Sequence, residues 1–420
     1  MTQEIKSRLD QIRRGEIPKE YHKGKLGIVC DEWEEIPFSS LFTSTSEYTD
    51  DLQKYPLYSL TIEDGITAKT ERYERSHLVK KSESYKIVRP NDYAYNPMNI
   101  RFGAVARHKE NNDVAVSGYY DIFTTVYPSD LAFMDSFLTC NAMLTYYNRV
   151  STGSLVEKQR VHFSQFMQFC LPLPPLEERK KIAKILSTQD KVIGLYDKKI
   201  EQLQLLKKAC LQKLFPKCGS KVPEIRFPGF TDDWEQRKLR ELAIFNPKAE
   251  IPEVFEYVDL ESVVGTEMLS HRTETKGTAP SRAQRVAQIG DLFFQTVRPY
   301  QKNNYLFEMP DKYYVFSTGY AQMRPLVDGR FLFCLVQNEE FVQAVLDNCT
   351  GTSYPAISSN DLAQIEVNSP QNKQEQKQIG DFFKGIDNLI TLHQRRRDEE
   401  KQKKKALMQL LLSGIVRAKI

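Results

Sequence analysis

The chain has 420 residues, 40% hydrophobic and 27% charged, enough for two to three domains with buried cores and unlike a disordered or fibrous protein. Its longest uninterrupted apolar run, Phe331 to Val336, is six residues against the ~20 of a membrane-spanning helix. The opening MTQEIKSRLDQIRRGE is too polar for a secretion signal, so no membrane contact and a cytoplasmic location are expected. The formal net charge of +4 is unevenly placed. Residues 177–221 hold 12 Lys/Arg against 5 Asp/Glu, residues 371–419 hold 12 against 6, and the remainder is net −9, which excludes a uniformly basic coat for nucleic acid.

In chain order, residues 1–26 read as a helical segment and residues 27–170 as a first globule, in which short apolar and aromatic runs alternate with Gly/Pro/Asn/Asp breaks, as in strand-rich mixed domains. Two polar stretches of this globule concentrate nucleic-acid chemistry: Arg72, Arg75 and Lys80, then Arg101, Arg107, Lys109 and Asn111. Arginine pairs with guanine and phosphate, asparagine with adenine. A solvated charged loop is the plainer reading of any one of these residues; their recurrence as sets favours binding.

Residues 171–221 open after Pro172, Pro174 and Pro175, contain no further proline until Pro216, and are rich in helix formers. Ile182, Leu186, Ile193, Ile200, Leu203 and Leu214, with Gln189, Tyr196, Lys207 and Cys210 between them, follow the alternating three-and-four spacing of a coiled-coil seam. A helix of about 39 residues spans ~58 Å, too long for a globule of this size to cover.

Residues 222–369 form a second globule with its own polar sets: Arg272, Lys276 and Arg282, then Arg298, Tyr300, Lys302 and Asn303. Residues 370–420 repeat the long helix, with Ile379, Phe383, Ile386, Ile390, Leu407 and Leu411 on the seam. The two helical segments align without a gap at an offset of 197 residues, from Glu178/Glu375 to Phe215/Leu412, and echoes such as Asp31-Glu-Trp33-Glu34 against Asp232-Asp-Trp234-Glu235 continue into the globules. This is an internal duplication. The expected fold is α+β: two pseudo-symmetric mixed domains separated by a long antiparallel two-helix coiled coil, because the second helix must run back along the first.

The sequence contains no Gly-x-Gly-x-x-Gly and no Gly-x-x-x-x-Gly-Lys-Ser/Thr. Asn96-Pro97-Met98-Asn99 lacks the second proline and the aromatic with which amino-methyltransferases hold their target nitrogen, and reads as a turn. The seven cysteines form no Cys-x-x-Cys, and the six histidines are scattered, so no metal site or catalytic centre is expected.

The duplicated globule-plus-helix plan, with LPLPPLEERKKIAKIL (171–186) and NSPQNKQEQKQIGDFF (368–383) opening the helices and PEIRFPGFTDDWEQRKLREL (223–242) leading into the second globule, resembles the specificity subunit of type I restriction-modification enzymes. Arg179 stands where that family's Pro-Pro-x-x-Glu-Gln motif has glutamine, and Ser369 where it has the first proline. The resemblance implies a non-catalytic bacterial or archaeal subunit whose two target-recognition domains each read half of a split sequence in double-stranded DNA. It also implies two modification (methyltransferase) subunits and two ATP-dependent restriction subunits as partners. No cofactor is expected on this chain; S-adenosylmethionine, ATP and Mg belong to the partners. By the same resemblance, residues 7–15 are the displaced equivalent of residues 210–216, which would bring the N-terminal segment beside the second long helix. The rival reading is a coiled-coil scaffold without DNA recognition.

Overall fold

The computed structural model describes residues 3–69, 85–155, 159–217, 219–309, 312–351 and 353–418. They form two compact units, Met1–Leu195 with Arg397–Ile420, and Tyr196–Arg396. Helix and strand are mixed in each, as expected of an α+β protein.

The two units are built on one plan. In the first, a sheet runs in the order Val105–Arg107, Tyr93–Tyr95, Asp121–Thr125, Phe42–Thr45, all antiparallel. The second repeats it as Tyr305–Leu306, Leu292–Gln295, Tyr320–Pro325, Ala243–Phe245, again antiparallel. A second layer also recurs. Val114–Ser117 pairs with Tyr85–Val88, and Leu57 bridges Ala115 in parallel; likewise Tyr314–Ser317 pairs antiparallel with Ala283–Val286 and parallel with Val254–Val258. Each unit is entered through a two-stranded ribbon, Glu34–Pro37 on Cys170–Leu173 and Glu235–Lys238 on Glu366–Ser369. The ribbon sets a strand from the start of each sheet-bearing segment beside the chain about to enter its long helix. Buried aromatics fill the cores: Phe42, Tyr93, Phe123 and Phe166 in the first unit, Phe294, Phe331 and Phe341 in the second.

The long helices run over Leu176–Lys213 and Lys373–Leu411. The first begins directly after Pro175 and stops short of Pro216, since the ring of proline fits only the first turn of a helix. Each helix contributes to both units. In the first unit Ile182 and Leu186 share a core with Leu411 and Leu412, with Leu407 packed against it. Gln189 donates to Glu400, and Lys404 meets Asp190 at 2.6 Å. In the second unit Leu214 and Phe215 share a core with Ile379, Phe383 and Ile386, with Ile390 alongside; Lys207 meets Asp387 at 2.6 Å and Tyr196 contacts His393. Residue numbers run in opposite directions along both contacts, so the helices are antiparallel within each unit. Ile193, Ile200 and Leu203 are also buried.

The turn at Asn96 is built by its own side chain, whose Oδ1 accepts from the amides of Met98 and Asn99. The six described cysteines are unpaired. Among the described residues no helix is long and apolar enough to cross a membrane.

Truncating a seam residue removes buried methylenes and leaves a cavity, so Ile182→Ala and Ile379→Ala should each lower stability by about 2–5 kcal/mol. Leu195, 67% exposed, should tolerate alanine within about 0.5 kcal/mol. Urea denaturation of the three variants checks this contrast, and an equal loss at Leu195 would contradict it.

Candidate nucleic-acid interface

In the first unit, Arg107 ends a sheet strand and is drawn inward. Its Nε and Nη2 fork the Asp135 carboxylate at 3.0 and 2.8 Å, and its Nη1 reaches Asn91 at 2.6 Å. Asp135 also accepts from the Tyr93 hydroxyl. The hydrogen bond from Arg107 to Asp135 raises the arginine's pKa above its ordinary value, so this guanidinium is held as part of the fold. Lys109 lies 3.4 Å from the same carboxylate, yet its side chain is 67% exposed. Arg101 is buried in the turn Ile100–Phe102, donates to Gln159 at 2.6 Å and lies over the ring of Phe102. Asn111 is exposed. Arg72, Arg75 and Lys80 lie outside the described residues.

In the second unit, Arg272 lies on an edge strand, bonded to Asp259 and Glu274 at 2.9 Å each and stacked over Tyr257. Lys276 is exposed, 3.7 Å from Glu253, and Arg282 is exposed. Arg298, Tyr300, Lys302 and Asn303 share one turn between two sheet strands. Buried amides fix it: Asn304 accepts from the Gln295 amide at 2.9 Å, while the Gln295 side chain donates to Val297 O and to Gln301. Lys302 meets Glu339 at 2.8 Å, and Asn303 accepts from the Gly265 amide.

Arg298 and Lys302 bracket the turn in left-handed backbone conformations (φ 54°, ψ 55° and φ 55°, ψ 30°), which strain a residue with a Cβ and survive only where the surroundings impose them. The two differ in what holds the side chain, and Arg298 hydrogen-bonds to no carboxylate among the described residues. Its amide is pinned to Pro355 O, and its guanidinium lies 4.5 Å over the ring of Tyr354. Stacking orients the planar fork and leaves its edge donors available. Tyr300 and Tyr354 beside it are 50% and 64% exposed. The candidates therefore divide: Arg107, Arg272 and Lys302 are engaged with carboxylates of their own unit and Arg101 with Gln159, whereas Tyr300 is exposed and Arg298, half-buried, is stacked on the exposed Tyr354. Arg272 stands on a different sheet from that turn, and Lys276 follows it in the adjoining turn.

Tyr354 was not among the sequence candidates. The sequence holds one pointer to it, the echo of Thr152-Gly153-Ser154 in Thr350-Gly351-Thr352, which ends two residues before it. Among the described residues no group of three or more His, Cys, Asp or Glu side chains could hold a metal ion.

Comparison with known proteins identifies the family. The model of the type I restriction modification DNA specificity domain matches residues 125–205 and 231–402. The chain belongs to that family. It is 29% identical over 293 residues to the type I restriction enzyme MjaVIII specificity subunit of Methanocaldococcus jannaschii, an alignment covering 60% of this chain and 64% of that protein, so it spans a little under two thirds of this relative's length. It is 25% identical over 448 residues to the putative MjaX specificity subunit of the same organism, covering 99% of this chain and 93% of that protein. The fold resembles that of the S subunit of a type I restriction-modification system from M. genitalium, with a TM-score of 0.54, 14% identity and coverage of 90% and 96%. It also resembles a chain from a study of complex assembly and conformational transition of the type I R-M system, with a TM-score of 0.55, 15% identity and coverage of 92% and 99%.

Arg107→Ala should cost about 1–3 kcal/mol of stability, because Asp135 is left enclosed without its strongest donor. Arg298→Gly removes a strained conformation and should leave stability within about 1 kcal/mol. Thermal unfolding of both variants distinguishes the arginine bound to a carboxylate from the one stacked on Tyr354.

Proposed function

We propose that this chain reads a bipartite sequence in double-stranded DNA, one half-site per unit, for a type I restriction-modification complex. The observation that carries this reading is the recurrence of the four-stranded antiparallel sheet and of the entrance ribbon in two units whose exposed polar loops differ. A shared scaffold supplies the same placement on DNA, and different loops supply different base contacts. Contacts from Arg298, Tyr300, Lys276 and Arg282 in the second unit, and from Lys109 and Asn111 in the first, are the favoured readers. Arg72, Arg75 and Lys80 remain candidates from the sequence, while Arg101, Arg107, Arg272, Lys302 and Asn303 support the loops.

The helix contacts within the two units join, in this reading, into one antiparallel coiled coil relating the units by a pseudo-two-fold axis. Such a pair offers two equivalent helical faces to two modification subunits, with two restriction subunits completing the complex in the bacterial or archaeal cytoplasm. S-adenosylmethionine, ATP and Mg then act on the partners, and this chain carries no catalytic residue. One turn of B-DNA, ~34 Å, separates half-sites that lie on the same face of the duplex, so the gap between them should be about five to eight base pairs.

Exchanging residues 222–369 for those of a relative with another specificity should change one half-site and leave the other unaltered. Methylome sequencing of a host expressing the whole complex reads this directly, and a change in both halves would overturn the division.

A further inference from the structure

Glu178 and Glu375 stand 197 residues apart in the first turn of the two long helices. A carboxylate is favoured there by the helix dipole, yet both are enclosed, with side chains 7% and 2% exposed. Each is clasped by an arginine from a segment that follows the other long helix in the chain. Arg417 forks Glu178 through Nε at 2.8 Å and Nη2 at 2.7 Å. Arg226 forks Glu375 through Nε at 2.7 Å and Nη2 at 2.9 Å.

Both clasps hold the entrance of their own unit as well. Arg417 Nη1 lies 2.9 Å from Glu32 and from the Cys30 sulfur, and Trp33 beside them packs so closely on Gly414 that an added Cβ would come within 3.0 Å of the ring. Arg226 donates to Asp232 O, and Trp234 Nε1 donates to Glu375 at 3.2 Å. The tail 414–418 thus does for the first unit what residues 226–227 do for the second, although it lies at the far end of the sequence. A planar, permanently charged fork that pairs two-pronged with a carboxylate fixes orientation as well as distance.

We propose that Arg417 and Arg226 are positioning residues for DNA reading. Each locks the segment leading into the entrance ribbon of its unit to the start of a long helix, so the segment after the second long helix governs the first half-site and the segment after the first governs the second. This rests on the assignment of one half-site to each unit. Removing either arginine leaves an enclosed carboxylate without its counter-charge and frees the lead-in to the ribbon from the helix, which blurs the placement of that unit's loops on DNA.

The test uses the full complex with its modification subunits, carrying Arg417→Met or Arg226→Met, on duplexes altered at single base pairs of one half-site. Methylation by Arg417→Met should lose about ten-fold in discrimination against first-half changes and retain discrimination in the second; Arg226→Met should do the reverse. Amide exchange on the same variants should show protection lost around residues 30–37 and 176–186 for Arg417→Met, and around 234–238 and 373–383 for Arg226→Met. The double variant Arg417→Met/Glu178→Leu, in which both charges are replaced by apolar side chains, should fold and recover discrimination even if the single variant folds poorly. Unchanged protection in those segments would overturn the clasp alone. Localised loss of protection with both half-sites relaxed alike would overturn the division of half-sites and with it the positioning role.

Discussion

A helix of 38 or 39 residues with an apolar stripe along its length cannot be covered by a globule of about 150 residues, whose diameter is well below the ~57 Å such a helix spans. Everything else in the chain accommodates that constraint. The stripe of each helix is covered in part by the aromatic core where the helix begins and in part by the other helix within each unit, and polar positions along it are answered across the contact: Gln189 by Glu400, Lys207 by Asp387. Polar groups within an apolar seam cost stability when mispaired, so they select one register among the many that a plain leucine stripe would permit.

Duplication explains how one chain supplies both helices, and the departures between copies show how the plan tolerates change. Where the second copy has Gln376, accepting from the Asp328 amide and donating to Pro370 O, the first has Arg179, which instead pairs with the buried Asp130 at 2.6 Å. Asp130 and Asp328 hold equivalent places, so a neutral amide contact has become an ion pair in the same location. Gly380 stands where the first copy has Ala183; a Cβ there would come within 2.8 Å of Arg330 Cβ. The second helix lies closer to its neighbouring short helix than an alanine allows.

Much of the architecture is legible in the sequence because helix signals are local. Pro175 and Pro216 bracket the first long helix, the 197-residue offset locates the second, and ten of the twelve residues named by the three-and-four spacing are buried while Ile390 and Leu407 are half-buried. Strand order was not legible: the pairing of Phe42–Thr45 with Asp121–Thr125 joins segments some eighty residues apart, and no local pattern specifies that choice. The interface was legible only as a set of charges. Whether an arginine is bound to a carboxylate depends on what folds against it; Asp135, 28 residues from Arg107, and Tyr354, 56 residues from Arg298, decide the two cases in opposite ways.

If the helix pair spaces the two half-sites, as proposed, lengthening both helices together should lengthen the gap between them. Seven residues inserted after Leu195 and seven after Gln394 preserve the seam's heptad phase and add ~10.5 Å to the pair. At ~3.4 Å per base pair this predicts a gap about three base pairs longer, with both half-sites unchanged, in the methylome of cells expressing the complex. An active double-insertion complex that kept its original gap would contradict the account.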